Sequence, residues 1–374
     1  MARSGAGFTL VVTGGGTSGH IFPGIAVAQA MMARRPDGRV VFIGTERAVD
    51  QDAMRHYRFE SRAVPCGALK GRGPLARLKT LAQLPASLMA ARRVLAEIRP
   101  QVVLGVGGYV TGPVVLAAKT LKIATCIHEQ NSVPGLTNRR LGGLVDRVFL
   151  SIPGSEAYFP KERCLLSGNP LRQEILALAR QPGEAGRVML VLGGSQGAHR
   201  LNTLLPAAIA GLGRLAEGWR VIHQTGAADE TPVREAYQDA GIRAEVAAFF
   251  TDMAAVYQQA GLVVSRAGAT TLAELTALGK PAILVPFPFA ADDHQRHNAL
   301  ALVRAGAALM LDQAGLRAEV LTRELAALLG DDSRRREMGR AARGLARPEA
   351  AETIVSECLA LAERRGASHH VQKK

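Results

Sequence analysis

The chain has 374 residues, 48% apolar and 4% aromatic, with a formal net charge of +14. Its length exceeds what one hydrophobic core usually serves, and its apolar content excludes a disordered chain, so two packed domains are expected. The charge is uneven: residues 1–170 hold 22 Lys/Arg against 10 Asp/Glu, and residues 171–374 hold 24 against 22. A basic first half attracts phosphate on nucleic acid, anionic lipid or a pyrophosphate substrate, without saying which.

In chain order, Phe8–Thr13 is a short apolar run that reads as a buried strand. The glycine turn Gly14-Gly15-Gly16-Thr17-Ser18-Gly19-His20 follows, and a helix is expected from Pro23 to about Ala33. Val40–Gly44 is the next strand. Asp50-Gln51-Asp52 reads as a D-x-D metal pair, but it sits off the glycine turns and is assigned no metal. Leu69–Leu95 carries Leu75, Leu78, Leu81, Leu84 and Leu88 at near-helical spacing beside Lys70, Arg72, Arg77, Lys79, Arg92 and Arg93. An apolar stripe flanked by cations fits an interfacial membrane contact, and equally an amphipathic core helix, which is favoured from Leu84 onward. Pro85 is expected to break or start a helix. Strands follow at Val102–Gly105, Thr125–His128 and Arg147–Leu150, with a second glycine turn at Gly105–Gly112 and the polar run His128-Glu129-Gln130-Asn131.

A second series begins at Val188–Leu192 and continues with Val221–Gln224, Val246–Phe249, Leu262–Ser265 and Ala282–Pro286. LVVTGGGTSGH opens the first series and LVLGGSQGAH opens the second, so the chain reads as two Rossmann-like α/β domains in tandem. The expected division is 1–168 and 169–347, with Ser167–Pro182 as the junction. A last helix, about Glu349 to Arg364, is expected to pack back on the first domain. The cysteines at 66, 126, 164 and 358 show neither a disulfide framework nor zinc spacing. No run of 18 apolar residues exists and the N-terminal apolar run is short, so neither a membrane span nor a signal peptide is expected.

The glycine turns between strand and helix suit anions, because the helix N-terminus offers free N–H groups. His20, at the mouth of the first, is a candidate general base, and Glu129 or Tyr109 could share that work. Gly14, Gly16 and Gly19 also satisfy G-x-G-x-x-G, with Glu46 available for a ribose, which leaves an NAD-dependent oxidoreductase open. Gly193–Gly197 repeats the cradle but also matches G-x-S-x-G, which leaves a serine hydrolase using Ser195 open. Ser265–Glu274 (SRAGATTLAE) ends a strand and starts a helix suited to a pyrophosphate, with Glu274 placed to accept ribose hydroxyls. Asp292–Asn298 (DDHQRHN) is dense in groups that hydrogen-bond sugar hydroxyls. A non-catalytic basic protein that binds nucleic acid or membrane would explain the charge but not these polar clusters.

GGGTSGHIFPGIAVA, GVGGYVTGPVVLAA, HEQNSVPGLTNR, SGNPLR, LGGSQGAHRLN and SRAGATTLAELTALGKPAILVPFPFAADDHQRHNA, in that order over residues 8 to 300, together resemble the MurG family. Its members are UDP-N-acetylglucosamine (UDP-GlcNAc) transferases acting on undecaprenyl-pyrophosphoryl-N-acetylmuramoyl-pentapeptide. The resemblance implies a GT-B fold, two Rossmann-like domains whose parallel sheets face a central cleft, and inverting transfer to the acceptor's 4-hydroxyl. It implies an N-terminal domain facing acceptor and membrane and a C-terminal domain for the UDP-sugar. Thr17, Ser18 and Gly19 would lie at the donor, with His20 the base, and Asn131, Arg172 and Ser195 would contact UDP-GlcNAc, making Ser195 a ligand. Phe250 would hold the uracil through its backbone. Ala269, Thr270, Thr271, Leu272, Ala273 and Glu274 would cradle the diphosphate and ribose, and Gln295, with His294 beside it, the GlcNAc hydroxyls. Ser18 stands where glycine is common, and His294 where glutamine can stand. No cofactor, metal or nucleic acid is expected. An anionic membrane surface is, at the cytoplasmic face of the inner membrane.

Overall fold

The computed structural model describes residues 7–15, 18–45, 54–66, 74–181, 186–194 and 197–371, without the side chains of Ser18, 74–82 and 366–371. The chain divides into two compact units, residues 1–172 with 348–374, and residues 173–347. The division after Arg172 lies inside the Ser167–Pro182 stretch, so Arg172 goes with the first unit.

Unit 1 runs β1 (Thr9–Gly14), α1 (Ser18–Arg34), β2 (Arg39–Gly44), β3 (Glu60–Ala63), α2 (Pro74–Ile98), β4 (Val102–Gly107), α3 (Thr111–Thr120), β5 (Ala124–Glu129), α4 (Leu136–Leu141), β6 (Arg147–Leu150) and β7 (Cys164–Leu166). The strands form one sheet in the order β3-β2-β1-β4-β5-β6-β7, and every pairing is parallel. Side chains alternate across a sheet. Leu10, Val12, Phe42 and Leu104 therefore pack on α1 and the C-terminal helix (Ala350–Val371), while Val11, Ile43 and Val103 pack on the other face with Ala91 and Leu95 of α2. The C-terminal helix buries Ile354, Val355 and Cys358. Its Glu357 and Arg365 pair with Arg147 (3.2 Å) and Asp146 (2.7 Å) at the start of β6.

Unit 2 runs α5 (Gln173–Arg180), β8 (Val188–Leu192), α6 (His199–Ala210), β9 (Arg220–Gln224), α7 (Glu230–Asp239), β10 (Ala244–Ala247), α8 (Met253–Gln259), β11 (Leu262–Ser265), α9 (Ala269–Leu278), β12 (Ala282–Leu284), α10 (His294–Arg304), β13 (Ala308–Met310), α11 (Ala318–Leu329) and α12 (Asp332–Gly344). Its parallel sheet has the order β10-β9-β8-β11-β12-β13. Both sheets reverse strand order beside their first strand, at β1/β4 and at β8/β11. Ligands of doubly wound sheets bind at the carboxyl ends of such strands.

Several boundaries differ from expectation. Helix α1 begins at Ser18, not Pro23, and Pro23 lies inside it, because the turn's last residues already adopt helical geometry. Likewise α2 neither ends nor starts at Pro85. Its second half is core, with Ala91 and Leu95 fully buried. The tenth strand is Ala244–Ala247 rather than Val246–Phe249, and the C-terminal helix continues past Arg364 to Val371. Among the described residues no helix is long and apolar enough to cross a membrane.

Candidate functional site

In unit 1 the β1 and β4 turns meet at the switch point. Gly107 has φ +104° and Gly108 φ +89°, conformations that favour glycine. A Cβ on Gly108 would stand 2.4 Å from Gly15 O, so the two turns touch backbone to backbone. A Cβ on Gly107 would stand 2.6 Å from His20 Nδ1, so the imidazole lies flush against that glycine. The Thr111 hydroxyl donates to Gly107 O (2.9 Å) and Thr13 O (3.2 Å), locking the β4 turn to β1. Gln130 Nε2 donates to Val106 O (2.8 Å) and lies 3.1 Å from His128 Nδ1.

The polar run after β5 divides into supports and exposed groups. His128 is 1% exposed and faces Gly168 O (3.1 Å) and the Ser151 hydroxyl (3.0 Å). Burial pushes its pKa down to about 4, so it stays neutral at pH 7. Glu129 is also buried, which raises its pKa, and its carboxylate accepts from the Asn131 amide N–H (3.0 Å) and side chain (3.2 Å), Gly135 N–H (3.2 Å) and Asn138 Nδ2 (2.8 Å). Four donors on one carboxylate make it a brace for the 131–138 loop rather than a free base. Through that brace the Asn131 side chain is held at the strand's end. Tyr109 is 39% exposed. Arg172 is buried with its guanidinium 4.3 Å above the Phe22 ring, a cation–π contact that anchors it to α1.

In unit 2, α9 starts after Gly268, whose extended φ/ψ (−69°, 137°) caps it, and ends at Gly279 in the left-handed region (62°, 40°). Its N-terminus, with Ala269, Thr270 and Thr271, thus stands at the end of β11. Leu272 is buried, and Ala273 follows it, about one turn in from Ala269. Glu274 is 6% exposed and accepts from the buried Tyr257 hydroxyl (2.9 Å), which orients its carboxylate. Arg266 donates to Val285 O (3.0 Å) and Gln313 Oε1 (2.6 Å), and burial lowers its pKa to about 10, leaving it charged at pH 7. Phe250 N–H donates to Gln224 Oε1 (3.1 Å), so a base held by this backbone would meet the carbonyl. Gln295 Oε1 accepts from Phe287 N–H (2.9 Å), which fixes the amide and turns its NH2 away. His294 Nδ1 lies 2.8 Å from Ala291 O, after Asp292 and Asp293 in left-handed φ.

Thr17, Ser195, Glu46 and the Asp50-Gln51-Asp52 stretch lie outside the described residues, as does the Ser18 side chain, while Gly19 lies in the first turn of α1. Within unit 1 the structure brings His20 to the glycine turns and places Asn131 at the end of neighbouring β5. Within unit 2 it sets α9 and Glu274 after β11, and Gln295 beside the turn after β12.

Sequence reasoning missed Gln130, Thr111, Asn138 and Tyr257 as supports, because their partners lie on other elements of the fold, from 9 to 98 residues away apart from the Gln130 contact with His128 and the Thr111 contact with Gly107. It also missed Asn169, inside SGNPLR. That side chain is 5% exposed, and neither amide atom has a partner among the described residues. Among the described residues no three His, Cys, Asp or Glu side chains group as a metal site.

Comparison with known proteins agrees over both units. The glycosyltransferase family 28 N-terminal domain matches residues 10–150 and the family's C-terminal domain matches residues 188–354. The UDP-N-acetylglucosamine--N-acetylmuramyl-(pentapeptide) pyrophosphoryl-undecaprenol N-acetylglucosamine transferase of Desulfotalea psychrophila is 48% identical, over 95% of this chain and 97% of that protein. Its namesake from Geobacter metallireducens is 44% identical, over 94% and 98%. The crystal structure of MurG from Acinetobacter baumannii is 29% identical with a TM-score of 0.75, covering 94% of this chain and 99% of that one.

Proposed function

This chain belongs to glycosyltransferase family 28, and on that premise we propose that it transfers N-acetylglucosamine (GlcNAc) from UDP-GlcNAc to the 4-hydroxyl of undecaprenyl-pyrophosphoryl-N-acetylmuramoyl-pentapeptide, a step of peptidoglycan synthesis. The observation that carries the reading is 48% identity to a transferase of that name over 95% of the chain. The geometry supports the roles. Unit 2 holds the donor: α9 presents N–H groups and the Thr270 and Thr271 hydroxyls to the diphosphate, Glu274 accepts from the ribose, the Phe250 backbone meets the uracil, and Gln295 with His294 binds the sugar hydroxyls. Thr17, Ser18, Gly19, Asn131, Arg172 and Ser195 complete the donor contacts.

His20 takes the proton from the acceptor hydroxyl as its oxygen bonds to the anomeric carbon. The bond from that carbon to the phosphate oxygen breaks, UDP leaves with the electron pair, and the configuration inverts. The α9 N-terminus and its hydroxyls stabilise the charge building on UDP, so no metal is required for the step. His20 suits the task better than its neighbours, since His128 is buried and neutral and Glu129 is saturated with donors. The basic first half suits peripheral attachment to the anionic cytoplasmic face of the inner membrane, where the lipid acceptor lies.

The test is transfer of labelled GlcNAc from UDP to the lipid-linked muramoyl-pentapeptide in detergent, with and without EDTA. Lipid-linked disaccharide in both samples is expected. No product despite UDP-GlcNAc binding would refute the acceptor, and no donor binding would refute the transferase reading.

A further inference from the structure

In unit 1, beside the glycine turns, the ends of β1, β2 and β3 enclose a cavity of about 330 Å3, within the usual range of ligand pockets. Its wall includes Gly14 and Val106, so it opens next to the turns against which His20 packs. Its floor is apolar, formed by the buried side chains of Phe42 and Met54. Its rim is cationic, with Arg55 and Arg62. Arg62 lies 2.8 Å from Glu60, and Arg39 grips the same carboxylate at 2.7 Å. Two guanidiniums thus share one carboxylate, and the trio keeps a net positive charge. The Arg62 side chain is 51% exposed, and with Nη2 on Glu60 and Nη1 donating to Ser61 O (3.3 Å) it uses two of its five N–H donors.

An apolar floor under two guanidiniums fits a short chain that carries both small apolar groups and carboxylates. Guanidinium and carboxylate pair through two parallel charge-assisted hydrogen bonds. A nucleotide phosphate would instead seek backbone N–H groups, which lie at the glycine turns. The acceptor's muramoyl sugar must reach His20, and a peptide attached to that sugar must continue into space beside it. We propose that this cavity binds the peptide of the acceptor, with Arg55 and Arg62 receiving its carboxylates. The inference rests on the acceptor reading above and extends it to residues that no donor or base role uses.

The test is steady-state kinetics of the full-length protein in detergent with three acceptors. They are the lipid-linked muramoyl-pentapeptide, the same lipid with its peptide carboxylates amidated, and the lipid-linked sugar without peptide. The Arg55→Gln/Arg62→Gln double variant should raise KM for the pentapeptide acceptor about tenfold, the scale of a partly exposed charged hydrogen bond. KM for the amidated and peptide-free acceptors should shift less than about twofold, and the donor KM should not move. An unchanged KM, or an equal rise for all three acceptors, would overturn the assignment. If the wild-type protein uses none of the three acceptors, the proposed function fails and takes this inference with it. If it uses them without the variant discriminating among them, this inference alone fails.

Discussion

Gly107→Ala should disable the reaction by moving one ring. The new Cβ would stand 2.6 Å from His20 Nδ1 and 2.8 Å from its Cε1, where ordinary contact begins at 3.4 Å. The backbone has little room to yield: Gly107 O is held by Thr111, and neighbouring Gly108 abuts Gly15 O. The imidazole therefore has to shift by roughly 1 Å, and a displacement of that size at a reacting group can lower kcat about 10²-fold. The φ of +104° adds about 1–3 kcal/mol of strain to the fold, so thermal unfolding is measured alongside. His20→Ala should lower kcat by about 10²–10⁴ if the ring is the base. Saturating steady-state rates for both single variants and the double variant test the idea. The double variant should be no slower than His20→Ala, because the glycine acts only through the ring. Gly112→Ala is the control: its Cβ would meet only Thr137 Cγ2, at 3.7 Å, inside helix α3, so activity should hold. A kcat for Gly107→Ala within twofold of wild type, or losses that multiply in the double variant, would refute both the contact and the base.

Glu274→Ala should raise the donor KM sharply. It also removes the carboxylate to which the buried Tyr257 hydroxyl donates, costing unit 2 about 1–3 kcal/mol, whereas Glu274→Gln keeps an acceptor there and recovers most of that stability; an unchanged donor KM in both variants would remove Glu274 from the ribose. Acid should weaken both units through one buried histidine in each. The folded-state pKa values of His128 (about 4) and His223 (about 3) lie below the ordinary 6.5, so the unfolded chain binds more protons, and stability falls as pH drops below about 6.5. Between pH 6.5 and 5 each should cost its unit about 2 kcal/mol, and urea midpoints that do not change over that window would show that neither ring is held neutral.

Central strands were legible in the sequence because parallel sheets covered on both faces demand continuous Val, Ile and Leu runs. Three strands escaped notice, and each lies at a sheet edge: β3 (ESRA) and β7 (CLL) in unit 1, β13 (ALM) in unit 2. An edge strand has one neighbour and needs little apolar surface; three of the four β3 residues are exposed. The prolines misled for a related reason. Pro23 and Pro85 signal helix boundaries locally, but packing of α1 and α2 against the sheet outweighs one lost backbone hydrogen bond.

The site was legible as a set of turns and not as a set of roles. Glycine clusters after apolar runs mark where backbone must approach something closely, and the structure places Gly107, Gly108 and Gly15 in such contact. His20 and His128 are the same residue type, one at the mouth of a glycine turn and the other at the end of a strand, and no spacing rule separates the proposed base from a brace. Burial does. His128 sits 1% exposed between Gly168 O, Ser151 and Gln130, and desolvation holds it neutral far below working pH. A ring so enclosed can neither reach an acceptor hydroxyl nor gain a proton at pH 7 without a large desolvation cost. The supports that enclose it come from the residues just after β6 and β7, 23 and 40 positions away, and from Gln130 two residues on, itself held by Val106 O of β4. Role assignment at this site is therefore a property of the folded sheet, where segments distant in sequence deliver the partners that withdraw His128 from chemistry.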